Sequence, residues 1–163
     1  ILVCKRAIIS LGDGFMEQEI IKLLDPNLEC IRCKLKKQQI VLEVQSLKEK
    51  VPCPYCGILS SKVHSIYQRE IQDIPLQDKQ TIILLNTRKM FCVNPACDHK
   101  TFSERFDFIV PNGRKTKRLV DKILLTSAKL SSVSASTLLK ANSVKICKSS
   151  ICDLLKKNAS NCG

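Results

Sequence analysis

The sequence predicts an α+β fold in which a small β-rich module precedes an all-α module, and three observations carry that prediction. Apolar residues recur at strand-like spacing up to about residue 110 and at helical spacing beyond it. Charge changes at the same place: residues 1–110 hold 16 basic and 13 acidic side chains, net +3, whereas residues 111–163 hold 11 and 2, net +9. Turn-forming Pro111-Asn112-Gly113 stands at the break. With 163 residues the chain has room for one ordinary domain or two small ones. The expected division is an N-terminal extension over 1–22, a β-rich domain over 23–110 and a basic helical domain over 111–163.

Residues 1–22 give no clear periodicity and no element is assigned to them. Leu28 to Leu35 and Ile40 to Val44 are short apolar-rich runs on either side of the polar turn Lys36-Lys37-Gln38-Gln39, the pattern of a hairpin. Ile66 to Ile71 reads as a strand that Asp73-Ile74-Pro75 interrupts, and Thr81 to Cys92 resumes an extended run. Downstream, Leu119, Val120, Ile123, Leu124 and Leu125 mark a helix over Arg114 to Leu130. Two shorter helices follow, Val133 to Lys140 with Leu138 and Leu139 inward, and Lys148 to Lys157 with Ile151, Leu154 and Leu155 inward.

Composition narrows the class. A 44% hydrophobic and 26% charged chain has enough apolar material for a core, and no run approaches the roughly 18 consecutive apolar residues of a membrane helix. A net charge of +12 favours a polyanionic partner, nucleic acid first, over a small-molecule substrate. Ten cysteines without a secretory leader are expected to be thiols or metal ligands, in the cytoplasm rather than outside the cell.

Cys53-Pro54-Tyr55-Cys56-Gly57 is the most informative pentapeptide, because two thiolates two residues apart can chelate one ion from a tight turn. Gly57 supplies the backbone freedom for positive φ just after the second ligand. Cys92-Val93-Asn94-Pro95-Ala96-Cys97 offers the second pair, with Asn-Pro turning the chain between them. Four sulfurs about 2.3 Å from one ion in a tetrahedron make a closed, structural zinc site, so Cys53, Cys56, Cys92 and Cys97 are the expected ligands of one zinc per chain. The rival pair Cys30-Ile31-Arg32-Cys33 lacks a following Gly or Pro and lies inside a predicted strand, which favours half-buried free thiols. Cys4, Cys147, Cys152 and Cys162 read as structural or incidental. His99, two residues after Cys97, could replace it as a ligand, and His64 lies between the pairs. For both a structural role is the commoner outcome, and neither has a partner that suggests nucleophilic catalysis.

Arg114-Lys115-Thr116-Lys117-Arg118 places four cations in five residues at the start of the predicted helix, where the macrodipole disfavours them. That cost favours an external phosphate over a merely solvated face. Ser134 to Leu155 reads as a helix-turn-helix, with Val144 and Ile146 filling the turn and Lys148, Ser149 and Ser150 at the N-terminal end of the second helix, where recognition helices meet DNA. Asn142-Ser143-Val144-Lys145 is long for that turn and lacks its usual Gly, which keeps a plain helical hairpin as the alternative. Expected DNA contacts are Arg114, Lys115, Lys117, Arg118, Lys145, Lys148, Ser149, Ser150 and Lys156.

Taken together, Cys53-Pro54-Tyr55-Cys56-Gly57, His64-Ser65-Ile66-Tyr67, Arg69, Asp73-Ile74-Pro75, Arg88-Lys89-Met90-Phe91-Cys92, Cys97 and Thr101-Phe102-Ser103-Glu104-Arg105-Phe106 resemble the N-terminal region of bacterial insertion-sequence transposases of the ISL-three group. The resemblance covers roughly residues 23–157. It implies a zinc-binding domain followed by a helix-turn-helix region that binds the terminal inverted repeats of the element at the nucleoid. Self-association belongs to the full-length transposase. Such enzymes cut and join DNA with a metal-dependent acidic triad in a ribonuclease-H-like domain further along. After Pro111 this chain has only Asp121 and Asp153 as acids, both on predicted helices, so the expectation is a non-catalytic DNA-binding fragment, a truncated or frameshifted copy. The rival readings are a zinc-ribbon adaptor that docks protein or RNA, and an inert remnant of a transposase gene. A net +9 on the helical third favours a duplex reader, and the scarcity of aromatics disfavours RNA stacking.

Overall fold

A computed structural model describes residues 14–110 and 112–160 of the chain. Among them the fold is α+β, with four helices and seven strands. Helix α1 (Gly14–Lys22) lies within the segment to which the sequence assigned nothing, and it buries Ile21 fully in the main core. Cys4, Cys162 and Pro111 lie outside the described residues.

Strands β1 (Leu28–Leu35) and β2 (Gln39–Ser46) form the expected antiparallel hairpin, with a bulge between Cys30 and Arg32. A short pair, β3 (Val51–Pro52) and β4 (Leu59–Ser60), frames the first cysteine turn. Strand β5 (Val63–Leu76) then runs antiparallel to β6 (Lys79–Phe91), and β7 (Thr101–Ser103) pairs with the end of β6. The main sheet has the order β1-β2-β6-β5, with β2 and β6 parallel.

Asp73-Ile74-Pro75 does not interrupt β5 as expected. The strand continues through it to Leu76, with a register shift between Asp73 and Leu76. Pro75 is tolerated because β5 is the edge of the sheet, where a missing N–H costs no ladder bond, and because a bulge absorbs the residue. Gln77 and Asp78, at φ 46° and 57°, close the β5–β6 hairpin as the two left-handed residues of a two-residue turn whose twist matches the strands.

Period-two alternation places Leu42 and Val44 of β2 and Ile83 and Leu85 of β6 on one face, against Ile21, Leu28, Ile71, Phe106, Phe108 and Ile109. A second core holds Val51, Met90, Phe102 and the cysteines of the ribbon. Strand β6 joins the two, since residues 80–86 pair with β2 while 89–91 pair with β7. Arg88, between these stretches, grips the carboxylate of Glu104 at 2.9 and 2.8 Å, and the Glu104 N–H donates to the Arg88 carbonyl.

The third core belongs to α2 (Lys117–Ala128), α3 (Ser132–Ala141) and α4 (Lys148–Ser160), through Leu119, Ile123, Ala135, Leu139, Val144, Ile146 and Ile151. Three leucines expected inside are outside: Leu125 is 68% exposed, Leu138 46% and Leu155 36%. Each follows or precedes another leucine, and successive residues on a helix point about 100° apart, so one member of each pair had to leave the face. Helix α2 also begins later than expected. Thr116 is its N-cap, accepting from the Leu119 N–H, and Arg114 and Lys115 form an extended lead-in bridged to Gln72.

That lead-in ties the helices to the sheet. Gln72 donates its N–H to the Arg114 carbonyl and accepts from the Thr116 N–H, while its side-chain amide grips both backbone groups of Lys145. Next to it, the buried carboxylate of Asp73 accepts from the Thr116 hydroxyl at 2.6 Å and from the Nε and Nη2 donors of the Arg118 guanidinium. Arg69 donates to the Gly113 carbonyl at 2.9 Å. Gly113 is where the chain folds back on Val110, whose carbonyl oxygen would lie 3.0 Å from any added Cβ.

Candidate metal centre and basic helical module

The first cysteine turn is built by backbone geometry. Gly57 N–H donates to the Cys53 carbonyl and Cys53 N–H to the Ile58 carbonyl, a reversal that requires the φ of +75° adopted by Gly57. In the second turn the Asn94 side chain accepts from the Ala96 N–H at 3.0 Å and the Asn94 carbonyl from Cys97 N–H. Cys92 is anchored immediately after β6 by its N–H to the Lys100 carbonyl. These turns bring the sulfurs of Cys53, Cys56, Cys92 and Cys97 within 4.8 Å of one another, with Cys53 and Cys97 buried. Cys56 and Cys92 sulfurs stand 3.6 Å apart, too far for a disulfide and close to the ~3.8 Å edge of a tetrahedron with 2.3 Å metal–sulfur bonds.

Backbone donors and burial act on the sulfurs in opposite directions. The backbone N–H of Ile58 acts on Cys56, that of Asn94 on Cys92 and that of His99 on Cys97, each favouring the charged form of its sulfur. Led by the Ile58 amide, Cys56 falls to about 7. At Cys92 the Asn94 amide pulls downward but is outweighed by burial and the neighbouring thiols, and the group rises to about 12. A dication bound among the sulfurs would neutralise their charge and release protons as it binds. Four sulfurs fill the four positions of a tetrahedron and so describe a closed structural site, and the donor set fits zinc.

His99 does not join the cluster. It stacks flat on Tyr55, ring centroids 3.5 Å apart at 5°, and so links the two cysteine turns. His64 is exposed, 3.0 Å from the Ser65 hydroxyl and tilted against Phe91. Cys30 and Cys33 are free thiols on β1, the first half-buried and the second exposed. Burial and Cys33 push Cys30 up to about 11.

In the helical module the four-cation cluster divides. Arg114 and Lys117 are exposed, whereas Lys115 is half-buried, with its ammonium pushed down by burial, and Arg118 is committed to Asp73, which raises it. The connection from α3 to α4 ends α3 with the six-to-one and five-to-two bonds of a Schellman motif, Val144 N–H to the Leu139 carbonyl and Ser143 N–H to that of Lys140. Ser143, at φ 60°, occupies the position usually held by Gly, and its hydroxyl donates to the Asp78 carbonyl at 2.6 Å. Val144 and Leu139 pack together beneath it. Lys145, Lys148, Ser149 and Lys156 are exposed, and Ser150 is half-buried. Asp121 and Asp153 are exposed on separate helices.

The sequence alone marks Cys147 as structural or incidental, yet its sulfur lies 3.1 Å from both the Ser149 and Ser150 hydroxyls. Those hydroxyls, Ser149 first, hold the thiol down to about 6. It is therefore ionised above that pH, and iodoacetamide is expected to alkylate Cys147 at pH 7 with a rate that falls by half near pH 6, while Cys30 stays inert. Peptide mapping across pH 5–9 checks this; a Cys147 midpoint near 9 would contradict it.

Residues 49–97 match the family described as the zinc-finger of transposase IS204/IS1001/IS1096/IS1165. Comparison with curated proteins and with solved structures gave no match. No helix among the described residues is long and apolar enough to cross a membrane. The matched segment contains both cysteine turns and the strands between them, and all four clustered sulfurs fall within it. Residues 49–97 thus match a transposase zinc ribbon in sequence and hold the four-sulfur cluster such a ribbon needs, set within a larger α+β chain.

Proposed function

We propose that the chain binds duplex DNA at the terminal inverted repeats of a transposable element, with α2–α4 as the DNA-contacting domain and the β-rich domain as its zinc-stabilised support. The observation that carries this reading is the exposed N-terminal end of α4, where Lys148 and Ser149 face solvent on a helix held by the α3–α4 turn. The net +9 of residues 111–163 supports a polyanionic partner, and the transposase type of the ribbon supports DNA. Cys53, Cys56, Cys92 and Cys97 hold one zinc ion, which supplies structure and no chemistry. Its working place is the bacterial cytoplasm, at the nucleoid.

Contacts divide by role. Arg114 and Lys117 act on phosphates, and Lys145, Lys148, Ser149, Ser150 and Lys156 surround the reading end and outer face of α4. Arg118, paired with Asp73, orients α2. Removing a phosphate-contacting cation weakens binding to all duplexes and lowers the log–log salt slope by about 1, whereas altering a base reader costs roughly 1–3 kcal/mol on the preferred site alone. Competition binding with Lys117→Ala and Ser149→Ala, on an inverted-repeat and a scrambled duplex, tests the division. Equal weakening of both duplexes by Ser149→Ala would remove α4 as the reading helix. These residues bind DNA without cutting it, so the bound duplex stays intact in magnesium; nicking abolished by Asp121→Asn or Asp153→Asn would contradict that.

A further inference from the structure

The sheet and the helices meet in a cleft of about 510 Å³ whose lining includes Lys36 and Lys37 of the β1–β2 turn, Gln39, Gln80, Lys140 at the end of α3 and Lys145 of the α3–α4 turn. The lining is one-signed: four lysines and no acidic residue contribute to it. All four lysines are exposed, and among the described residues none of them is in an ion pair. A fifth, Lys79, reaches the same turn, donating to the Lys37 carbonyl at 3.4 Å. Asp78, in the adjoining turn, offers the cleft wall its carbonyl, which accepts from Ser143.

The lysines sit on a rigid frame. Lys36 N–H donates to the Gln39 carbonyl at 2.7 Å and closes the turn, and the Gln39 side chain donates to that of Gln80 at 2.8 Å across β2 and β6. On the opposite wall the Gln72 amide clamps the Lys145 backbone. Lysines of one sign gathered in a cleft, with no ion-pair partner among the described residues, favour an anion from outside.

We infer that this cleft is a second DNA-backbone contact, through which the β1–β2 turn holds phosphates of the same duplex that α4 reads. Lys145 joins the two surfaces: it lines the cleft and stands three residues before Lys148, which confines their Cα atoms to within about 11 Å, a third of a DNA turn. The inference rests on the DNA-binding reading and extends it to the β-rich domain, whose modest net charge gave no sign of such a role.

The test is fluorescence-anisotropy binding of the full chain to a duplex between 50 and 200 mM salt, for wild type, Lys36→Gln/Lys37→Gln, Lys140→Gln and, as a control outside the cleft, Lys122→Gln. Loss of two phosphate contacts lowers the slope by about 1.8, so the double variant should approach wild type about tenfold between the two salt limits, with preference for the inverted repeat unchanged. Lys140→Gln should lower the slope by about half as much, and Lys122→Gln should leave it alone. Lys140 lies on a different element from the turn, so its variant reports on the cleft independently of hairpin folding. Wild-type binding with both cleft variants at the wild-type slope would overturn this inference and leave α4 as reader. Absence of duplex binding by wild type would overturn both, and preference of the cleft for single-stranded RNA, lost in the double variant, would replace DNA as its partner.

Discussion

Serine in place of Cys92 is expected to take the chain from one bound zinc to none and to unfold the ribbon. Cys92 is one of four clustered sulfurs, and three sulfur ligands leave an open, weaker site. Zinc binding in small modules contributes roughly 10–16 kcal/mol to folding, more than the few apolar side chains of the ribbon core can replace. The effect should be local, because the sheet core and the helical core share no residue with the ribbon core. Hydrogen exchange should accelerate at residues 51–60 and 92–103 while amides near Leu119, Ile123 and Ile151 keep their protection. Cys30→Ser should retain zinc. Stoichiometric zinc in Cys92→Ser protein, measured by atomic emission after dialysis, would contradict the ligand set.

The second large effect is expected at Arg118, and it should be asymmetric with that at Asp73. Arg118→Ala strands the carboxylate of Asp73, which is 2% exposed and keeps only the Thr116 hydroxyl as a partner among its present three contacts. Breaking a buried pair in that direction costs about 3–5 kcal/mol. Asp73→Ala leaves a guanidinium that is already partly exposed and can rehydrate, so the cost reduces to the lost charged hydrogen bonds, about 1.5–3 kcal/mol. Urea midpoints at constant slope would show Arg118→Ala as the less stable variant; the reverse order, or two losses below about 1 kcal/mol, would remove this pair as the strut between sheet and helices.

Local signals carried much of this fold into the sequence. The β1–β2 hairpin follows from two apolar runs around a polar turn, and the three C-terminal helices from their apolar period. The cysteine turns were legible because a chelating pair needs Gly57 and Asn94-Pro95 at fixed offsets. What could not be read depends on partners distant in sequence. Pro75 looked like a break, and only the position of β5 at the sheet edge lets the strand pass through it. Of the doublets Leu124-Leu125, Leu138-Leu139 and Leu154-Leu155, periodicity alone does not say which member faces inward until the neighbouring helix is placed.

The site residues show the same division. Arg118 stood in a run of cations that looked uniform, and its role was set by an acid 45 residues upstream. A buried-looking Asp in an apolar strand, followed later by an isolated basic run, was the available signal for that pair. Lys36 and Lys37 read as ordinary turn residues because the cleft they line is completed by α3 and the α3–α4 turn, more than 100 residues away.

Duplex discrimination by the intact 163-residue chain tests the central claim most directly. Competition binding at physiological salt, between a labelled inverted-repeat duplex and a scrambled duplex of equal length, should show at least a thousandfold preference for the repeat, with affinity falling steeply as salt rises. Equal affinity for the two duplexes, or binding indifferent to salt, would contradict it.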